Sequence, residues 1–470
     1  MKQASPRVAE NAKPIDGFRY LALALAVLLC SRAPAQSPTS TDAPRGDTPE
    51  INADLGTQVD STNPAMQLAA LRRARDTLMG IADFNAALNP AKEAVAVQAD
   101  DKDPGYGLDV EALARIQLEI AKYDEAESNY TKAIDLIEAK EGEFSIALVE
   151  PFRGLGRVYI KSARYPEAIA ALKQAQHISQ RNLGLFNVEQ APLLDDITTA
   201  YLGVGDTVEA RKLQLQRVDN AVRRFGADDV RVIPFRYELA DYYQRSRMPL
   251  SAREQYADVL KTREAAAGPD DAALLRPLRE IVKVDLTISQ GEEKDTYARL
   301  VSVLEHNPDA DPVERGLSLA VLGDWATVTG DSQRAQDYYR QAWTSLSSSS
   351  KFDVHEYFAK PAAIDFVAPL SPVDRGLRSK PYQWGAAAFR FDVTPGGRPL
   401  KVHAVGVETV PANTLLSQYL RRIRETHFRP RIVDGQAVAT HDVEFTHYFR
   451  FYVEDKQKDK KNKADKKKRG

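Results

Sequence analysis

The sequence predicts a mainly α-helical fold, a solenoid of helical hairpins followed by a small α+β domain. Three observations carry that prediction. Small residues recur every 42 positions, at Ala126, Ala168, Ala210 and Ala252. Beyond residue 382 the apolar spacing changes from 3–4 to 2, the period of strands. Between the two regions lies a stretch punctuated by Ser345 to Ser350 and by Pro361, Pro369, Pro372 and Pro381.

Composition narrows the function classes. The chain has 470 residues, 43% hydrophobic and 28% charged, an ordinary globular composition long enough for two or three domains. Its 64 Lys and Arg against 66 Asp and Glu leave a formal charge of −2, with no general reason to expect nucleic acid as a partner. A single cysteine, Cys30, excludes an intramolecular disulfide framework and a multi-thiolate zinc site.

Residues 1–35 read as a signal peptide. Lys2, Arg7, Lys13 and Arg19 precede an apolar run from Tyr20 to Leu29, and Ala33-Pro34-Ala35 supplies small residues for cleavage. As a helix, ten apolar residues rise about 15 Å, roughly half the hydrocarbon thickness, so the run is short for a permanent span. The expected location is therefore the periplasm. Acylation of Cys30 is the competing reading, although Leu28-Leu29 puts no small residue before it. Residues 36–64, rich in Ser, Thr, Pro, Asp and Gly, read as a disordered leader. Leu68, Leu71, Ala74, Leu78 and Ile81 then place a helical hairpin in residues 65–106.

Residues 107–346 carry the repeats. Leu113-Ala114, Leu155-Gly156, Ile197-Thr198 and Leu239-Ala240 precede the small residues by the same interval, and Tyr159, Tyr201 and Tyr243 lie between them. A weaker copy follows near Ile281-Val282, with Lys294 in the alanine's place, and a clear one closes with Leu322-Gly323, Ala335, Tyr339 and Ala342. Small residues must face each other where two helices cross closely, and large ones fill the flanking groove. The pattern Phe152, Leu155, Gly156, Tyr159, Ala168, Leu172 and Ala175 resembles the tetratricopeptide repeat. That family's usual period is about 34, so the hairpins here are expected to be longer, by helical turns or by loop residues. The repeat register points Glu111, Arg115, Arg153 and Arg157 toward the concave side, with Asp195, Tyr237 and Asp241. Solenoids bind extended partners on such surfaces, which makes these the candidate partner-binding residues.

Residues 347–381 read as a Pro-containing linker that also caps the last repeat, because Phe352, Tyr357, Phe358, Ile364 and Phe366 are too apolar for a free tether. Residues 382–454 form the α+β domain in the order strand, strand, helix, strand. Ala387, Phe389, Phe391 and Val393 alternate with polar or small residues, Thr394-Pro395-Gly396-Gly397 makes a turn, and Leu400, Val402 and Ala404 start the return strand. Pro411 opens a helix with Leu416, Tyr419, Leu420 and Ile423 on one face. Val443 to Val453 alternates again. The hairpin Phe391 to Arg398, the segment His427-Phe428-Arg429-Pro430 after the helix, and Asp434-Gly435 before the last strand resemble the C-terminal domain of energy-transducer TonB proteins. The resemblance implies a ββαβ module in the periplasm that contacts outer-membrane receptor segments by strand addition. Along the final strand it places Glu444, Thr446, Tyr448 and Arg450 away from the core as further partner-binding candidates. A long membrane anchor and an extended Pro/Lys-rich arm, which that family uses for energy coupling, are not expected here.

No phosphate loop, G-x-S-x-G elbow, H-E-x-x-H pair or cysteine nucleophile occurs. His355, His403, His427, His441 and His447 are spread over different elements. No catalytic residue, cofactor or metal ligand is therefore nominated. The reading is a non-catalytic periplasmic adaptor whose partners are envelope proteins or peptides. Two alternatives remain open: a component of TonB-dependent transport that contacts outer-membrane receptors, and a metal-binding or enzymatic role in the histidine-bearing C-terminal domain. Charge is uneven along the chain. Residues 36–381 hold 41 basic and 54 acidic side chains, whereas the tail, 455–470, holds nine and three. That tail reads as disordered, with weak attraction to anionic envelope polymers.

Overall fold

In the computed structural model, which describes residues 64–98, 105–289, 294–369, 382–408 and 413–452, each 42-residue interval resolves into the same parts. The signal and leader segments, Cys30, Pro411, the side chain of Arg450 and the basic tail lie outside the described residues. The chain divides into two compact units, whose described residues run 64–266 and 267–452.

The first unit is five helical hairpins: α1 (Pro64–Gly80) with α2 (Phe84–Val97), α3 (Tyr106–Glu119) with α4 (Tyr123–Glu141), α5 (Val149–Lys161) with α6 (Tyr165–Leu183), α7 (Ala191–Gly203) with α8 (Thr207–Phe225), and α9 (Ile233–Arg245) with α10 (Pro249–Ala267). From α5 onward the first helix of a pair has 13 residues and the second 19. A three-residue turn joins them, with one residue at positive φ: Ala121, Ala163, Gly205 or Arg247. After the second helix comes a glycine, Gly142, Gly184, Gly226 or Gly268, at φ 87 to 97°. At Gly184 ψ is 161°, a combination essentially reserved for glycine. Three residues on, Ser145, Asn187, Asp229 or Asp271 accepts a hydrogen bond from the N–H two positions later and starts a 3-10 turn that runs into the next first helix. The long second helix and this turn account for a period above 34.

The recurrent alanines Ala126, Ala168, Ala210 and Ala252 are fully buried. Neighbouring hairpins also approach closely: a Cβ on Gly154 of α5 would lie 2.2 Å from the Tyr130 ring of α4. Enlarging such a position costs about 1–3 kcal/mol in strain. Tyr159 and Tyr201 pack half-buried, each beneath a cation, Arg164 at 4.3 Å and Lys173 at 5.5 Å from the ring centre. The first hairpin is tied on through Asp109 of α3, which takes hydrogen bonds from Arg72, Arg75 and Gln98 at 2.5 to 3.1 Å. Burial pushes the Asp109 carboxyl up, but these donors outweigh it and hold it below the ordinary value.

The second unit begins with α11 (Leu275–Ser289) and α12 (Lys294–His306), then α13 (Pro312–Thr329) and α14 (Ser332–Ser347). A short helix α15 (Val354–Phe358), capped by Asp353, stacks Phe358 against Trp343 of α14 at 6.0 Å. A two-residue strand β1 (Ala362–Ala363) follows. The long strands β2 (Tyr382–Val393), β3 (Pro399–Glu408) and, at the end, β7 (Thr440–Tyr452) form an antiparallel sheet in the order β3-β2-β7. One face is apolar, with Ala387, Phe389, Phe391 and Val393 buried as their alternation predicts. Against it lies α16 (Asn413–Glu425), through Leu415, Tyr419 and Ile423.

Two details depart from the sequence reading. Leu400 is exposed whereas Val402 is buried, because the backbone at Lys401 has φ 55° and the β2–β3 register shifts between Arg390 and Asp392. Between α16 and β7 the chain also makes three short strands, β4 (Phe428–Arg429), β5 (Arg431–Val433) and β6 (Gln436–Val438). β4 pairs with β1, and β5 with β6. Among the described residues no helix is long and apolar enough to cross a membrane.

Candidate functional site

Two surfaces gather the residues nominated from sequence. In the first unit, Glu111, Arg153, Asp195 and Tyr237 occupy one register position of successive first helices, and Arg115, Arg157 and Asp241 another. Three of these six charges, Arg153, Arg157 and Asp195, meet an ion-pair partner. Arg157 donates to Glu119 at 3.0 Å, and Arg153 donates to Asp196 at 2.7 Å. Asp195 accepts from Gln214 at 2.9 Å and pairs with the buried Arg217 at 2.6 Å, which also reaches Glu238. Arg115 points a guanidinium nitrogen at the Met79 sulfur, 3.8 Å away. Burial raises the Glu111 and Asp196 carboxyls above their ordinary values, Arg153 opposing the rise at Asp196.

Tyr237 is buried, its ring 6.0 Å from that of Tyr256. Asp241 is exposed and accepts a hydrogen bond from the Tyr256 hydroxyl at 3.2 Å. The face thus carries charges of both signs, half of them ion-paired with a neighbour. It suits a polar, extended partner that exchanges pairs as it binds, and it presents no nucleophile–base arrangement.

In the second unit the candidates lie along β7. Its inner residues Val443, Phe445, His447 and Phe449 are covered to varying degrees, while Glu444 and Thr446 are exposed and Tyr448 is half-buried. Glu444 is held by Arg390 across the strand pair at 3.0 Å. On the same outer face Lys401 donates to Asp392 at 2.8 Å, and His441 lies 3.3 Å from it. The Lys401 hydrogen bond is the chief cause that draws the Asp392 carboxyl down to about 2. Among the described residues β7 pairs only with β2, so its far side is a sheet edge.

A third cluster was not nominated from sequence. The segment Phe428 to Ala437 docks on α13 and α14. Arg429 places its guanidinium on Asp324, Nε to Oδ1 at 2.8 Å and Nη2 to Oδ2 at 2.5 Å. Tyr339 donates to the same Oδ1 at 3.0 Å, and its hydroxyl meets Thr327 at 2.9 Å. Tyr357 of α15 stacks on the guanidinium, 4.9 Å from the ring centre. Gln336 clamps the β5–β6 turn, donating to the Gly435 carbonyl at 2.8 Å and accepting from the Ala437 N–H at 3.0 Å. Asp365 takes the backbone N–H and the imidazole Nδ1 of His427, both at 2.7 Å. Gly397 sits against this cluster at φ 75°, where a Cβ would lie 2.2 Å from the Phe428 carbonyl oxygen. Two signals were present in the sequence: Arg429 inside the Phe-Arg-Pro segment, and Asp324 at the register position of Arg115, Arg157 and Asp241.

The five late histidines do not converge. His427 bonds Asp365, His441 faces Asp392, His355 meets the edge of Trp343, His447 packs on Tyr419 and Phe366, and His403 contacts the Lys401 carbonyl. Among the described residues no three His, Cys, Asp or Glu side chains are placed to hold a metal ion.

Comparison with known proteins supports the repeat assignment directly. The sequence profile of the tetratricopeptide repeat matches residues 107–181. No curated protein matches the chain. Solved structures to which it is similar include the C-terminal part of a TPR repeat-containing protein from Cytophaga hutchinsonii, at 16% identity, TM-score 0.40, covering 59% of this chain and 96% of that one. A Rap protein complexed with competence and sporulation factor aligns at 13% identity and TM-score 0.36, covering 61% and 76%. A thermophilic TPR protein of Thermus thermophilus aligns at 19% identity and TM-score 0.30, covering 46% and 99%.

Proposed function

We propose that this tetratricopeptide-like repeat protein is a non-catalytic adaptor, exported to the periplasm, with two protein-binding surfaces. One is the row of charges on the first helices of residues 107–266. The other is the outer edge of β7, to which an extended segment of a second protein adds as a further strand. The observation that carries this reading is the edge itself: β7 is 13 residues long and pairs on one side only among the described residues. Edge strands of that length are templates for pairing unless they are blocked. The resemblance of residues 382–453 to energy-transducer TonB termini supports an outer-membrane receptor segment as the added strand.

The test is site-specific photocrosslinking in producing cells, with the reactive residue at Thr446 on β7 or at Arg157 on α5. Adducts to different proteins are expected from the two positions, with the chain in the osmotic-shock fraction and shortened by the 1–35 segment. Absence of adducts at both positions, in a protein that keeps its helical circular dichroism, refutes the adaptor reading.

A further inference from the structure

The buried contact at Asp324 has an open counterpart in the first unit. Three side chains define it: Asp324, Thr327 and Tyr339, with the tyrosine hydroxyl donating to Asp324 Oδ1 and meeting Thr327. The repeat register places Asp241, Gln244 and Tyr256 at the same three positions of the α9–α10 hairpin. Their hydrogen bonds correspond: Tyr256 donates to Asp241 Oδ1 at 3.2 Å and accepts from Gln244 at 2.9 Å. The other hairpins with a clear register do not carry the pair. Arg115 with Tyr130, Arg157 with Leu172 and Thr199 with Gln214 stand there instead.

In the α13–α14 hairpin the carboxylate receives Arg429 from the chain itself and is 5% exposed. Asp241 is exposed, and among the described residues its hydrogen bond from Tyr256 goes to Oδ1, with none to Oδ2. A planar guanidinium matches a carboxylate with two parallel hydrogen bonds, which an ammonium cannot reproduce. The tyrosine hydroxyl holds the carboxylate in the orientation that the fork requires.

We propose that Asp241 and Tyr256 form a receptor for one arginine side chain of a bound protein segment, as Asp324 and Tyr339 do for Arg429. The ligand is an extended peptide, and its arginine is the recognised group. This deepens the adaptor reading by naming what the helical face takes.

The test uses the full mature chain and, as probe, a fluorescent peptide with the sequence of residues 425–433. Its binding is followed by anisotropy at low salt. Because hydrogen bonds to a charged group are stronger than neutral ones, Asp241→Asn is expected to weaken binding about tenfold or more. Replacing the arginine at position 429 of the peptide by alanine should weaken it equally, and by lysine to a smaller extent. Tyr256→Phe, which leaves the carboxylate but frees its rotation, should fall between wild type and Asp241→Asn. Circular dichroism of Asp241→Asn should match wild type, since the side chain is exposed. Equal affinity of Asp241→Asn and wild type, equal affinity of the alanine peptide, or no binding at about 1 mM peptide each overturns the proposal. Those outcomes leave the crosslinking at Thr446 and Arg157 untouched, so failure here is separable from failure of the adaptor reading.

Discussion

Removing the guanidinium of Arg429 should undo the docking of the terminal domain on the α13–α14 hairpin. The Arg429 side chain is 12% exposed and that of Asp324 7%, so Arg429→Ala leaves a buried carboxylate with Tyr339 as its remaining donor. Breaking a buried pair from one side costs about 3–5 kcal/mol, and loss of the stacking on Tyr357 adds about 0.5–1 kcal/mol. The assay follows from the sequence. All three tryptophans of the chain, Trp325, Trp343 and Trp384, lie in the second unit, so their fluorescence in urea reports that unit alone. With a slope of about 2 kcal/mol/M, a 4 kcal/mol loss lowers the midpoint by about 2 M. Arg421→Ala is the control: its side chain is 79% exposed in an i,i+4 pair, and its removal should leave the midpoint where it is in the wild type. In the cycle with Asp324→Ala, the double variant should be less damaged than the sum of the singles by about 2 kcal/mol, within the range for residues in contact. A cost for Arg429→Ala that equals the Arg421 control, or strict additivity in the cycle, would refute the reasoning.

The remaining predictions concern the link, the outer sheet face and the helical face. Gly184→Ala meets no atom within 4 Å but must hold φ 89° and ψ 161°, so it should cost about 1–3 kcal/mol of backbone strain, read from far-ultraviolet circular dichroism in urea. Asp392 titrates at about 2, below the ordinary value near 3.9. Its contribution is therefore complete above the unfolded value and is lost as pH falls from about 4 through about 2. Lys401→Ala should move that titration, followed by carboxyl NMR, back toward the ordinary value. Arg153→Glu sets like charges against Asp196 and Glu150 and should destabilise by about 1 kcal/mol, because both members of the Arg153–Asp196 pair are 21–24% exposed. The swap Arg153→Glu with Asp196→Arg should recover most of that loss in the same urea titration.

The repeats were legible because their cause is local and recurs. A closely crossing helix pair excludes side-chain branches at Ala126, Ala168, Ala210 and Ala252, and the same exclusion returns in these four successive hairpins. The link was as legible, in Gly142, Gly184, Gly226 and Gly268 with their caps three residues on, yet apolar periodicity does not register it. Strand alternation in β2 was readable because one face of the sheet is buried. Leu400 was misplaced because one bulge at Lys401 reverses the alternation without changing composition. The docking cluster was out of reach for another reason. Asp324 and Arg429 are 105 residues apart, and nothing in either local pattern names the other. Likewise the register gives Arg153, Arg157 and Asp195 recurring positions along successive first helices, but their partners Asp196, Glu119 and Arg217 depend on rotamers and on the neighbouring helices.

The terminal domain does more than follow the repeats. A repeat array must cover the apolar end of its last hairpin, usually with a polar capping element. Here Phe352, Tyr357 and Phe358, with the segment Phe428 to Ala437, cover the end at Trp343, Gln336 and the Asp324–Tyr339 pair. Conversely, the domain draws on the repeat side for its own structure. β4 pairs with β1, and His427 is fixed by Asp365, both contributed by the segment before residue 370. Each part thus supplies groups that the other buries, and neither satisfies its charges alone. Truncation after residue 346 should accordingly lower the stability of α13 and α14, and not simply delete a binding module. Point substitutions on the β7 edge, such as at Thr446, test the function of that strand without disturbing the cap, because Thr446 is exposed on the outer face and the cap is built from Phe352, α15 and the segment from β4 to β6.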